Sequence, residues 1–370
     1  MNLFPMTDPI PLPAPVWLFK ALDILTLSLH FTAVQILLGG LLVSTCLSAF
    51  GISNPRARAS AAAMARRLPI VMTYVINLGI PPLLFAQVLY GPALYTSNVL
   101  IGVYWFSVIF LLMACYWLLY AFADGTAAGK NVWWKGLMAL LLAGCVSRIL
   151  STNMALMLRP EDWQGMYSSA ALGNRLPPFD PTLTPRWLVM LTGSLWVSGF
   201  WMVWIAGRKT TAESLGTFLS GFGGGLASLG ILLQLLMFRL VLRLQPPEVS
   251  ASIQSNHFYH PFELLYYFLG AAAFLFAVFV LARKPRAGWS SLAGALLAFL
   301  SIASWVIVRD GIRDLTLKSK GFDVWAQPIV TNWQVVITFL LVFVLGIGAM
   351  AWLISVMMRA KPVPEGGARE

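Results

Sequence analysis

The stretch Ala21–Ser44 reads ALDILTLSLHFTAVQILLGGLLVS and decides the fold class. It is long and apolar enough to cross a bilayer as one helix, which takes about 20 residues. Two ionisable side chains interrupt it, Asp23 and His30. They lie close to two helical turns apart, so they point in about the same direction. Because ionisable groups are costly inside a membrane, such residues are usually retained for a function.

The composition of the whole chain agrees with this stretch. Of 370 residues, 59% are hydrophobic and only 11% are charged, whereas soluble domains carry about 25% charged residues. The chain is therefore predicted to be an integral membrane protein. Its net charge of +11 lies in short clusters between apolar runs, a pattern typical of topology signals, so we expect no nucleic-acid partner. No CxxC or CxxCH motif occurs, which argues against a c-type haem and an iron–sulfur cluster.

Apolar runs bounded by proline, glycine or charge predict about nine transmembrane helices. The fold class is therefore all-α, a polytopic bundle that forms one domain over 1–360, followed by a disordered cytoplasmic tail at 361–370. The glycine run Gly223–Gly225 allows close helix packing and could kink the sixth span. The predicted spans lie near 17–49, 68–91, 98–123, 133–158, 185–206, 214–243, 261–282, 288–308 and 331–358.

Basic residues predict the orientation of the bundle. Alternate connections carry them: 56–67, 130–135, 208–209, 283–286 and the end of the chain. The positive-inside rule places these connections in the cytoplasm, which puts the N-terminus outside and the C-terminus inside. Of the opposite loops, 159–184 and 309–330 are longer and mixed in charge, and 244–260 lies on the same side. We expect them to meet partner subunits through their aromatic residues, which are Trp163, Tyr167, Phe258, Tyr259, Phe322 and Trp325.

Three interpretations of His30 remain open. It could be hydrogen-bonded to a neighbouring helix, it could bind haem iron, as imidazoles from membrane helices commonly do, or it could serve with Asp23 as a proton relay or quinone contact. No second histidine lies within a predicted span. Any haem iron here would therefore be five-coordinate or would take a methionine or another axial ligand.

Two histidines precede the seventh span, in the segment HFYHPFE that contains His257, His260 and Glu263. Their spacing puts both histidines on one side of a helix. The segment fits an interfacial aromatic belt, a quinone or docking contact, or a metal site.

Arg148 lies within the fourth span and needs an anion there. The candidates are Asp23, in a structural ion pair, and the propionate of a haem. The segment RDGIRD at 309–314 closes the eighth predicted span, and it is interpreted as a solvated helix end.

Five segments carry a resemblance to a known family. They are LHFTAVQILLGG at 29–40, VINLGIPPLLFAQVLYG at 75–91, SRILSTNMALMLRPEDW at 147–163, DPTLTPRWLVMLTGSLWVSGFWM at 180–202 and SWVIVRDGIRDLTLKSKGFDVWAQPIVT at 304–331. In this order they resemble the haem-bearing subunit I of cytochrome bd-type quinol oxidases. That subunit also has nine helices with its N-terminus outside, and its first helix carries a haem-ligating histidine, matched here by His30.

The chain also departs from that family. Val189 stands where the resemblance implies a second haem-ligating histidine, and the expected methionine falls near Tyr266. The third span contains no glutamate, and the quinol-binding loop is reduced to 245–261. The resemblance therefore implies at most one haem b, and no reduction of oxygen by this chain alone.

The leading functional hypothesis is a membrane subunit of a respiratory electron-transfer complex in the bacterial inner membrane. Such a bd-like scaffold would belong to a quinol-linked oxidoreductase complex with other membrane subunits. It would link the quinone pool to an outer-face partner such as a periplasmic multihaem cytochrome c. The alternatives are a transporter or channel, and a structural anchor without a cofactor.

The orientation predicts the labelling of single cysteines in a cysteine-free background. A membrane-impermeant maleimide added to intact cells should label Arg175→Cys on an outer loop. It should label Arg56→Cys only after permeabilisation, because that loop is cytoplasmic. Labelling of Arg56→Cys in intact cells would contradict the orientation.

Overall fold

Helices make up nearly all the regular structure of the computed structural model, which describes residues 3–5, 10–51, 53–170, 172–286 and 288–359. The predicted tail at 361–370 lies outside these ranges. The helices are α1 (Val16–Phe50), α2 (Pro55–Ala65), α3 (Leu68–Leu100), α4 (Gly102–Ala127), α5 (Trp133–Leu156), α6 (Pro160–Ser169), α7 (Leu183–Ala206), α8 (Glu213–Arg243), α9 (Pro247–Ser255), α10 (Tyr259–Arg283), α11 (Gly288–Ser319) and α12 (Trp333–Arg359).

Within the described ranges, nine helices are long and apolar enough to cross a membrane. They are α1, α3, α4, α5, α7, α8, α10, α11 and α12, and the prediction of an all-α bundle with nine spans is confirmed. The short helices α2, α6 and α9 lie in connections between spans. The side of the membrane on which each terminus lies remains a prediction.

Helix α3 differs from the two spans predicted for this region. The sequence placed an uncharged connection at 92–97, but the helix continues to Leu100. Its backbone leaves helical geometry only at Tyr90, with φ −129° and ψ 24°. The predicted connection was wrong because Pro92, which has no N–H to donate, kinks this helix without ending it.

Helix α11 is longer than predicted, and this matters for the site. The predicted eighth span ended at 308, but the helix runs to Ser319. Asp310, Arg313 and Asp314 are all buried, so the interpretation of 309–314 as a solvated end was wrong. A cluster of charged residues usually marks the end of a membrane span, and the sequence alone does not show that these charges have buried partners.

Helix α1 lies at the centre of the bundle, in contact with α2, α3, α5, α7 and α11. Two glycines let its neighbours approach. A Cβ at Gly39 would lie 1.9 Å from the carbonyl oxygen of Ser194, and one at Gly40 would lie 2.9 Å from both Leu68 and Trp201.

The glycine run Gly223–Gly225 of α8 likewise allows a neighbouring helix to approach closely. A Cβ at Gly223 would lie 2.5 Å from the carbonyl oxygen of Gly199 in α7. Helix α8 runs unbroken from Glu213 to Arg243, so the run serves close packing and produces no kink.

Gly39→Ala should destabilise the bundle, because the new methyl group would overlap the backbone of α7. We expect a loss of about 1–3 kcal/mol, the usual cost of overpacking a core, measured as thermal unfolding in detergent. Gly144→Ala is the matched control, since nothing lies within 4 Å of its added Cβ, and it should change stability by less than about 0.5 kcal/mol. Equal effects of the two substitutions would contradict this account of the α1–α7 contact.

Candidate functional site

A cavity of about 410 Å³ lies among α1, α3, α4, α5, α7, α8 and α11. Most of its wall is apolar, with aliphatic side chains, Phe31 and Trp305 among them. The predicted face of α1 lies on this wall, since Asp23, His30 and Leu37 all line it. The polar residues of the wall are Asp23, His30, Ser147, Ser151, Arg186, Arg309 and Arg313.

His30 is fixed by α3. Its Nδ1 lies 3.1 Å from the carbonyl oxygen of Val75. Because a carbonyl only accepts, Nδ1 must carry the proton and Nε2 keeps its lone pair. Gly79, one turn after Val75, gives the ring its space, since a Cβ there would lie 2.9 Å from the Cε1 atom of His30.

One imidazole nitrogen is therefore anchored, and the other has no hydrogen-bond partner among the described residues. This is the arrangement of metal-binding histidines, which donate the second ring N–H to a carbonyl or carboxylate and so fix the ring orientation. His30 meets this requirement without a second histidine. No group of three or more His, Cys, Asp or Glu side chains in the described part of the chain could hold a metal ion.

Six ionisable residues form a charged layer near the N-terminal end of α1. We use this name for Lys20, Asp23, Arg309, Asp310, Arg313 and Asp314. All of them except the partly buried Arg309 are at most 6% exposed. Three are cations and three are anions, so the layer balances its own charge. Buried charges are stable only when they are paired and hydrogen-bonded.

Lys20 joins α1 to α11. Its Nζ lies 2.8 Å from Asp310 and 2.6 Å from Asp314. Tyr90, at the kink of α3, donates its hydroxyl to Asp314 at 2.6 Å and also contacts Lys20. Tyr259 of α10 donates to the same carboxylate at 3.2 Å. Four helices therefore meet on one ion pair.

Arg313 connects this ion pair to the cavity. Its Nη2 lies 2.9 Å from Asp23 and also contacts Asp310. Its guanidinium lies 4.0 Å from the ring centre of Tyr90. Asp23 therefore forms its ion pair with Arg313. The candidate partner suggested by the sequence was Arg148.

Residues before α1 and before α12 form a cap next to the charged layer. Leu12 and Ile329 pair as an isolated bridge, and the side-chain amide of Gln327 donates to the carbonyl of Leu89 at 2.7 Å. Between them, the indole N–H of Trp325 donates to Asp314 at 3.2 Å. Trp325 is itself half-exposed, so the layer is one side chain away from the surface.

Two further arginines face the cavity. Arg309 lies over the ring of Phe31, 5.7 Å from its centre, and forms no ion pair within the described ranges. Arg186 of α7 donates to the side-chain oxygen of Gln245 at 3.0 Å. The buried Nε of Arg186 has no hydrogen-bond partner among the described residues. Arg309 belongs to the balanced charged layer, so Arg186 adds one further positive charge at this end of the cavity.

The other predicted site residues lie elsewhere. Arg148 does not line the cavity; it donates to the hydroxyl of Thr184 at 3.3 Å and stacks on Trp187. The Nδ1 of His260 lies 3.8 Å from Glu263. The cavity wall includes neither His260 nor Glu263, and it does not include the exposed His257.

The predicted aromatic interface divides in two. Tyr167, Phe258 and Trp325 are more than half exposed, as a docking surface needs. Trp163 and Tyr259 are buried in the chain itself, and Phe322 is partly buried.

Known proteins were compared with the chain as a whole. No protein-family model and no curated protein sequence matches it. Among the solved structures that match, that of the bd oxidase from Geobacillus thermodenitrificans has a TM-score of 0.69 at 15% identity. The match covers 95% of this chain and 100% of that chain. The chain has the fold of a bd oxidase. This likeness confirms the fold that the sequence resemblance implied.

Two of the positions that depart from the pattern implied by the resemblance, Val189 and Tyr266, lie at or near the cavity. Val189 lines it, and its carbonyl accepts a hydrogen bond from Gln234 at 3.2 Å. Tyr266 is fully buried against Phe238, which also lines the cavity. Neither side chain offers an imidazole or thioether ligand.

Sequence reasoning missed Lys20, Tyr90, Arg186 and the buried state of 309–314. One signal was available. Lys20 precedes Asp23 by three residues, while Arg309 and Asp310 each have a like residue four positions later, so both helices carry charge on a continuous face. Nothing in the sequence showed that these two faces meet.

Lys20→Met should destabilise the protein strongly, because it leaves the buried Asp314 without a cation and Asp310 with Arg313 alone. Removal of one partner from a buried ion pair costs about 3–5 kcal/mol, and we expect a loss of this size in thermal unfolding. The exposed Lys130→Met is the control and should change stability by less than about 0.5 kcal/mol. Adding Asp310→Asn and Asp314→Asn to Lys20→Met should restore part of the stability. An unchanged Lys20→Met protein would show that the ion pair does not hold the helices together.

Proposed function

We propose that this chain is an electron-transfer subunit of a bd-like respiratory membrane complex and that its cavity holds one haem b on His30. The observation that carries the proposal is the state of the His30 ring. Its Nδ1 is held by the carbonyl of Val75, and its Nε2 is left with a free lone pair. A bound haem b would supply one-electron chemistry at its iron.

The charges of the cavity support this ligand. Haem b carries two propionates, and anionic groups of this kind suit guanidinium partners that offer two parallel donors. Arg309 and Arg186 line the same cavity as His30 and have no carboxylate partner within the described ranges. Asp23 lies seven residues before His30, about 10 Å along α1, so the iron ligand and the cations are set apart along the cavity.

The remaining residues would shape the environment of the haem. Asp23 is neutralised by Arg313, so it would not oppose an anionic ligand. The apolar wall would exclude water and lower the local dielectric constant, which strengthens the pairing of Arg309 and Arg186 with an anion. Val189 and Tyr266 offer no further iron ligand of the kind the family uses, which agrees with at most one haem.

The wider role is part of the same proposal. A chain with the bd oxidase fold and a single redox site would pass electrons between quinol and a partner outside the bilayer. Trp325, which is half-exposed above the charged layer, and the exposed Tyr167 and Phe258 mark the surface for such a partner, for example a periplasmic multihaem cytochrome c. The chain would reside in the bacterial inner membrane beside other membrane subunits, and it would not reduce oxygen by itself.

Haem content per polypeptide tests the role of His30. The purified protein should show Soret and α-band peaks in a reduced-minus-oxidised spectrum and about one haem b per chain by pyridine haemochrome. His30→Ala should lose this haem because it removes the iron ligand. His257→Ala, at an exposed position, should keep it.

Two arginine variants separate the candidates for the propionate partner. Arg309→Gln should lower haem occupancy or shift the midpoint potential, whereas Arg148→Gln should change neither. A wild-type protein without haem, or equal haem in His30→Ala, would refute the haem proposal. The chain would then be interpreted as an anchor in which His30 makes a helix contact.

A further inference from the structure

Three arginines lie near enough to interact electrostatically at the other end of the bundle, away from the charged layer. Arg66 and Arg67 join α2 to α3, and Arg208 follows α7. The two helix ends are brought together over Gly40, which contacts Leu68 of α3 and Trp201 of α7 on the same side. We call Arg66, Arg67 and Arg208 the arginine cluster.

The electrostatics of Arg67 are unusual. Its guanidinium is partly buried and donates to the carbonyl of Ala63. The charges that act on it come from Arg66 and Arg208, and both are positive. Among the described residues, no ion pair involves Arg66 or Arg67. Like charges held at close range repel one another, and a partly buried arginine needs an anion.

A neighbouring arginine shows what a satisfied cation looks like at this end. Arg286 donates to the carbonyl of Thr211 at 2.9 Å and to that of Ala206 at 3.4 Å. It therefore completes the open end of α7, where backbone carbonyls lack helical partners. Arg286 has a structural use within the chain, whereas Arg67 donates to one carbonyl only, that of Ala63 within its own segment.

Aromatic residues set the depth of the cluster in the membrane. Arg208 lies over the ring of Trp204, 5.0 Å from its centre, and Trp201 is one helical turn earlier in α7. Tryptophans at the ends of membrane helices lie at the level of the lipid headgroups. We therefore expect the cluster to lie at the depth of the lipid phosphates.

We propose that the arginine cluster binds the phosphate of an anionic phospholipid. Guanidinium groups bind phosphate in bidentate fashion, and basic pockets between membrane helices on the cytoplasmic side commonly hold lipid headgroups. The phosphate would relieve the repulsion between Arg67 and its neighbours. The headgroup would then join the start of α3 to the end of α7. This site is independent of the cavity and of its proposed haem.

Lipid binding to the purified full-length chain tests the site, with native mass spectrometry as the measurement. Phosphatidylglycerol should bind the wild type more tightly than phosphatidylcholine does. Arg67→Gln combined with Arg208→Gln should weaken phosphatidylglycerol binding by about tenfold or more. Arg56→Gln combined with Lys209→Gln removes the same charge from exposed positions of the same two connections and should leave binding within about twofold of the wild type.

Further arms decide between this site and its alternatives. Arg67→Lys with Arg208→Lys should fold and retain part of the binding, which guards against a variant that merely misfolds. Displacement of the lipid by inorganic phosphate alone would indicate a soluble anion site and overturn the proposal. Equal binding of both lipids, or equal loss in the two charge-removing variants, would also overturn it.

Discussion

The ion pair of Lys20 with Asp310 and Asp314 is the contact on which one half of the bundle depends, the half at the N-terminal end of α1. It joins residues about 290 positions apart and brings α1, α3, α10 and α11 to one point. In a bilayer the hydrophobic effect gives helices little reason to associate, so close packing and polar contacts must do so. The charged layer supplies such a contact, and it fixes which faces of α1 and α11 meet.

The cavity follows from the difference between the two halves of the bundle. Towards one end, Gly39 and Gly40 let α3 and α7 close against α1. Towards the other end, α1 and α3 meet through long side chains, with Lys20 in contact with Tyr90. The cavity lies between these two ends of the bundle. His30 lines it, and the arginines of the charged layer form one of its walls. A single helix, α1, thus carries the determinants of both the closed and the open part.

The sequence predicted the parts of this arrangement that depend on local pattern. Apolar runs of sufficient length predicted the nine spans, and the paired positions of Asp23 and His30 predicted a common face that lies on the cavity. The partners of those residues could not be found in this way. The choice of Arg313 over Arg148 for Asp23 depends on which face of α11 meets α1. The continuation of α3 through Pro92 depends on neighbours that support a kinked helix.

The separation of Lys20 from its partners has a consequence for biogenesis. Helix α1 leaves the ribosome long before α11, and at about 5–20 residues per second the interval is roughly 15 to 60 seconds. During that interval α1 must reside at the membrane with a lysine and an aspartate that lack their final counter-ions. Lys20 and Asp23 are three residues apart, near enough on a helix to shield one another until Arg313 and its two neighbouring aspartates arrive. In the first helix, Lys20 and Asp23 thus partly neutralise one another before α11 is made. When α11 packs against α1, Lys20 pairs with Asp310 and Asp314, and Asp23 pairs with Arg313.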